Sequence, residues 1–100
     1  MGALEGKKAE PRVTIRFLAP FQGRDNWSLE IAIAPGESLT SLFQRLEKGL
    51  YRELKEKIFD SPHPPFGVTL NGERIAKDRF DRVRLNGNEQ IVILALLVGG

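Results

Sequence analysis

The sequence predicts an α+β domain of two layers, a mixed four- to five-stranded sheet with one main helix packed on one face. Three observations carry this prediction. Apolar and polar residues alternate in segments 12–18 and 27–34; apolar residues recur at three- and four-residue steps between positions 39 and 58; and Asn71-Gly72 separates two short runs of strand-forming residues.

The first strand begins after Pro11. Val13, Ile15 and Phe17 share one face and Thr14 and Arg16 the other, the pattern of a half-buried strand. Pro20, Gly23 and Asp25-Asn26 are turn formers, so the segment between the two alternating runs reads as a loop that reverses the chain. Trp27, Leu29, Ile31 and Ile33 then share a face on a second strand, antiparallel to the first. Pro35-Gly36 stops it, and Ser38 is placed to cap a helix, because its hydroxyl can accept a free backbone N–H of the first turn. Leu39, Leu42, Phe43, Leu46, Leu50, Leu54 and Ile58 form the helix's buried stripe, with Gly49 expected to divide it in two. The prolines at 62, 64 and 65 end it, since proline lacks the N–H donor and its ring clashes with the preceding turn.

Phe66, Val68 and Leu70 are in phase on a third strand, and Asn71-Gly72 is the strongest short hairpin signal a sequence can carry. A short fourth strand is expected near Arg74-Ile75. Residues 76–85 receive no assignment, although Phe80, Val83 and Leu85 offer apolar anchors. Asn86-Gly87-Asn88 is a second tight turn. The last strand, 90–95, is apolar on both sides, so it is either central and covered or exposes one side to a partner, and exposure is the expectation for its end.

At 100 residues the chain is one domain with a modest core. The expected organisation is a flexible tail over 1–10, the folded domain over 11–95, and an extended tail over 96–100. No apolar run approaches the roughly 18 residues that span a bilayer, and the amino terminus lacks the apolar core of a secretory signal, so the expectation is a cytoplasmic protein without a membrane partner. With no cysteine there is neither a thiolate metal site nor a thiol nucleophile. The net charge of +2 gives a weak field that does not point to nucleic acid. Arg74, Lys77, Arg79, Arg82 and Arg84 cluster, but Glu73, Asp78 and Asp81 are mixed among them, as on a solvated surface.

The chemistry is expected at the carboxyl end, Leu96-Leu97-Val98-Gly99-Gly100. With glycine at about 7% of average sequence, a terminal pair arises by chance roughly once in two hundred chains. Without a Cβ, Gly99 gives clearance in a narrow channel, and the Gly100 carbonyl is open to attack. A carboxylate becomes an acyl donor once its oxygen is made a leaving group, commonly by adenylation. Gly100 is therefore the candidate acyl carrier, and five extended residues reach roughly 17 Å from the domain. Leu94, Leu96, Leu97 and Val98 are the candidate partner-binding residues, with ordinary packing an equal reading for Leu94.

The element order, the hairpin Val68-Thr-Leu-Asn71-Gly72, the turn Leu85-Asn-Gly-Asn-Glu89 entering the last strand, and the end Val98-Gly-Gly together resemble the MoaD/ThiS family of ubiquitin-like sulfur carriers over residues 12–100. Asn88 occupies the acidic turn position of that pattern, Gln90 replaces an apolar residue, and Ala95-Leu96-Leu97 stands where many molybdopterin synthase small subunits carry a proline pair. The resemblance implies a β-grasp (ubiquitin-like) fold. It also implies that an activating enzyme, using ATP, adenylates Gly100 and that a thiocarboxylate follows. The carrier would bind no cofactor itself. Its sulfur would serve molybdopterin synthesis, thiazole synthesis or tRNA thiolation, with the large subunit of molybdopterin synthase or another sulfur acceptor enzyme as partner.

Two rivals remain, the first sharing the tail residues and the second resting on the Arg74 to Arg84 cluster as a contact for an anionic partner such as RNA. In one, activated Gly100 passes to lysines of other proteins as a modifier; in the other, the tail is inert and the chain is a small binding module. Independent catalysis is not expected. His63 is alone among prolines with no second ligand for a metal, and Ser38, Ser41 and Ser61 have no histidine–carboxylate setting.

Overall fold

A computed structural model of the chain describes residues 11–62 and 64–96. The expected tail over 1–10, His63 and residues 97–100 lie outside the described residues. β1 (Arg12–Phe17) and β2 (Trp27–Ala32) pair antiparallel, Phe17 facing Trp27 and Ile15 facing Leu29. Alternation turns Val13, Ile15 and Phe17 into the core and leaves Arg12 and Arg16 outside. The connection between the two strands contributes more than a reversal. Gln22 and Gly23 both take positive φ, at 58° and 69°, while Phe21 and Arg24 exchange backbone hydrogen bonds, and the tight turn drives the Phe21 ring into the core.

β3 (Glu37–Ser38) leads into α1 (Leu39–Gln44), and the Ser38 hydroxyl accepts from the Ser41 N–H at 3.0 Å as the expected cap. The predicted apolar stripe is buried throughout, from Leu39 to Ile58. Gly49, however, does not divide the helix. The break falls at residues 45–47, and α2 (Lys48–Leu54) starts anew with Glu47 as its cap, the carboxylate accepting from the N–H groups of Gly49 and Leu50. Gly49 thus belongs to the first turn of the second helix. The chain continues into a π-helical turn, Lys55–Phe59, before the prolines stop it.

β4 (Phe66–Leu70) and β5 (Glu73–Ile75) form the predicted hairpin, with Asn71 and Gly72 both at positive φ, 50° and 89°. Segment 76–85 holds a 3₁₀ turn, Lys77–Arg79, and then β6 (Arg84–Leu85), which pairs antiparallel with β3. Phe80 and Leu85 are buried there, which ties this stretch under the helices. At the following turn the Glu89 carboxylate accepts from the N–H groups of Asn86 and Gly87.

β7 (Gln90–Ala95) closes the main sheet, whose strand order is β2-β1-β7-β4-β5. It runs parallel to β1 and antiparallel to β4, so the last strand of the chain is the central one. Ile91 and Ile93 are fully buried beneath the helices. This mixed five-stranded sheet, grasping one helical layer, is the β-grasp fold. Among the described residues no helix is long and apolar enough to cross a membrane.

Candidate functional site

With Ile91 and Ile93 directed inward, alternation turns Val92 and Leu94 to the outer face of the sheet, away from the helices. Both are half-buried. The alternative that the last strand is central and covered holds for its inner face, and its outer face is half-buried. On the outer face Leu94 lies opposite Gly67 of β4, and Val92 lies opposite Thr69. Leu18 follows the inward Phe17 and hydrogen-bonds the Ile93 carbonyl at 2.8 Å, so its side chain joins the same face; it is 46% exposed.

Leu96 stays attached to the sheet one residue beyond β7. Its N–H donates to the Pro65 carbonyl at 2.8 Å, and its side chain lies against Gly67. The outer face at the carboxyl end of β7 therefore carries the apolar residues Leu18, Val92, Leu94 and Leu96. Arg16 and Arg74 are exposed on that face, and among the described residues neither enters an ion pair. An apolar surface flanked by two cations fits a partner with apolar contacts between carboxylates.

The strands flanking the tail's root are clasped from the other face. The Lys57 ammonium donates to Glu53 at 2.7 Å and to the Pro20 carbonyl at 3.3 Å, and lies 4.8 Å over the Phe21 ring and 5.5 Å over that of Phe66. Glu53 also accepts the Gln22 N–H at 2.9 Å. One lysine thus joins the end of β1, the start of β4 and the second helix, the frame through which β7 emerges.

A second polar cluster holds the start of α1. Glu37 accepts two hydrogen bonds from the Arg45 guanidinium at 2.7 and 2.9 Å, one from the Ser41 hydroxyl at 2.9 Å and one from the Ala34 N–H at 3.1 Å. The Arg45 bonds dominate and, against the opposing effect of burial, pull the Glu37 carboxyl from 4.5 down to about 2. The Glu47 carboxyl is also lowered, first by the backbone N–H groups of Gly49 and Leu50 that it caps.

Of the residues predicted to act, the structure brings Leu94 and Leu96 to one face; Leu97, Val98, Gly99 and Gly100 lie outside the described residues. Ser38 and Ser41 serve the helix cap and the Glu37 cluster. Of the basic cluster, Lys77 is committed to the carbonyls of Ile58, Phe59 and Ser61. Among the described residues no polar or charged residue is buried as a whole, although the Glu37 side chain is only 7% exposed within its cluster, and no acidic or histidine cluster could hold a metal ion. Sequence reasoning passed over Leu18, Gly67 and Lys57. Leu18 was detectable as an apolar residue on the polar phase of β1, and Gly67 as a strand glycine outside any turn. Lys57 carried no such signal, because its partners lie far away in sequence.

No protein-family model matches this sequence, and no curated protein matches it. Several solved structures are similar, among them the following two. SAMP1 from Haloferax volcanii superposes with a TM-score of 0.60 at 12% identity, over 89% of this chain and 99% of that one. The thiamine biosynthesis protein ThiS from Geobacter metallireducens gives a TM-score of 0.49 at 18% identity, again over 89% of this chain and 99% of that one. At these identities the likeness is one of fold.

Proposed function

We propose that this chain is a ubiquitin-like sulfur carrier that catalyses nothing by itself. The observation carrying this reading is the path of β7: the central strand of a β-grasp sheet, half-buried and apolar on its outer face, leads in sequence to Leu97-Val98-Gly99-Gly100. In this reading the outer face docks on an activating enzyme while the tail enters its active site. The Gly100 carboxylate attacks ATP, pyrophosphate leaves, and the mixed anhydride with AMP makes the carbonyl electrophilic. Hydrosulfide released by a donor then attacks the carbonyl, the C–O bond to AMP breaks and AMP leaves, and loss of the proton gives the thiocarboxylate. Gly99 provides clearance and Gly100 carries the sulfur. The acceptor we favour is molybdopterin synthesis, with the large subunit of molybdopterin synthase as second partner; the hairpin and turn motifs around Asn71-Gly72 and Gly87-Glu89 support the carrier family and are shared by its thiazole-synthesis branch. The likeness in fold to SAMP1 supports the carrier architecture without choosing the pathway.

Intact mass spectrometry tests this reading, on protein from its native cell and again after incubation with ATP, a sulfur donor and cell extract. The expected result is a chain ending at Gly100 with a mass gain equal to one oxygen replaced by sulfur, absent when Gly100 is deleted. Adducts through Gly100 on lysines of other proteins, with no sulfur-bearing species, replace the carrier by the modifier. No change of either kind overturns acyl activation altogether.

A further inference from the structure

Gly67 is the second residue of β4, within the strand, where glycine weakens pairing. Its φ is not in the left-handed region, and it takes part in no turn, so the backbone there does not require glycine. Although Gly67 has no side chain and occupies the outer face, it is buried. The cover comes from Leu96 and Arg74. A Cβ at position 67 would meet Leu96 Cδ2 at 2.9 Å and Cγ at 3.4 Å, and Arg74 Nε at 3.3 Å. The glycine therefore opens a seat in the sheet, and the side chain of Leu96 occupies it while the Leu96 N–H holds the Pro65 carbonyl.

We infer that Gly67 is a positioning residue for the carboxyl tail: with Leu96 seated on it and Arg74 beside it, the tail is rooted at a fixed point on the outer face. The functional consequence rests on the carrier reading above. The chain then leaves the sheet from a defined place, with Leu96 seated on Gly67 and held to the Pro65 carbonyl. A tail that starts from a fixed point loses less freedom on entering a narrow channel, which strengthens its productive engagement. On this account Leu96 serves its own domain and leaves partner contact to Leu18 and Leu94.

The test compares wild type, Gly67→Ala, Leu96→Ala and the double variant, all as full chains. Amide exchange should show the Leu96 N–H protected in wild type and about tenfold or more faster in each single variant, with the Leu18 N–H, bonded to Ile93, unchanged. In denaturant, Gly67→Ala should destabilise wild type more than it destabilises Leu96→Ala, because the closest contact disappears with the leucine and only that to Arg74 Nε at 3.3 Å remains. If Gly67→Ala does not fold, the double variant still should. Equal destabilisation in both backgrounds, a double variant that fails to fold, or a Leu96 amide unprotected in wild type overturns the seat.

In native-cell extract with ATP and a sulfur donor, varying carrier concentration, both single variants should raise the apparent KM about tenfold with kcat retained. A fall in kcat at unchanged KM, or no change in either, overturns the positioning role. Absence of thiocarboxylate even from wild type removes the carrier reading, while the exchange and stability measurements still decide the seat.

Discussion

Glu37→Gln isolates the polar cluster at the start of the helical layer. The substitution preserves shape and an oxygen for the Ala34 N–H but removes the charge that binds Arg45. In the folded protein the Glu37 carboxyl lies at about 2, against 4.5 for the free group. At about 1.4 kcal/mol per pH unit the full shift corresponds to roughly 3 kcal/mol. The Arg45 side chain is 45% exposed, so solvent screens the pair, and we expect about 1–2 kcal/mol at neutral pH. Because the folded-state pKa is depressed, this contribution is fully present above about 4.5 and is lost as pH falls through the window down to about 2. Urea unfolding of both proteins between pH 7 and 2.5 measures it. The stability gap should be widest at neutral pH and narrow toward the acid end, with each kcal/mol moving Tm by roughly 4–8 °C. A gap that does not change with pH, or one below about 0.3 kcal/mol at pH 7, refutes the assignment of that stability to the Glu37–Arg45 pair.

Leu18→Ser removes an exposed apolar side chain from the proposed docking face. Stability should change by no more than about 0.5 kcal/mol, while the apparent KM for conversion of Gly100 rises; unaltered conversion kinetics would show that the partner does not use this face. Gly72→Ala meets no neighbouring atom within 4 Å but must hold φ at +89°, so it should cost about 1–2 kcal/mol in chemical denaturation from backbone strain alone. Ile93→Ala deletes a fully buried side chain in the central strand and should cost about 2–5 kcal/mol by the same measurement; a smaller loss would mean that the core collapses into the space.

The elements that could be read from the sequence are those whose signal is local. The hydrophobic alternation of β1 and β2, the Ser38 cap, the apolar stripe from Leu39 to Ile58 and the Asn71-Gly72 turn each depend on residues a few positions apart, and each is found where expected. Gly49 was misleading because its low helix propensity competes with the Glu47 carboxylate, which binds two N–H groups and starts a new helix just before it. Segment 76–85 was opaque for another reason. Its two-residue strand exists only by pairing with Glu37 and Ser38, far earlier in the chain.

By itself the sequence determined the fold class, the inward faces and the diglycine end, because side-chain periodicity and backbone freedom are properties of neighbours in the chain. Only the tertiary structure decided what those faces meet. It made β7 the central strand, since the apolar residues on both its sides do not reveal whether a helix, another strand or a partner covers each. It bonded the Leu18 N–H to the Ile93 carbonyl and laid Leu96 on Gly67, contacts between residues tens of positions apart that arise when three strands align in register. It also placed Lys57 across the ends of β1 and β4. A charge's partners are settled by packing, and packing is a property of the whole chain.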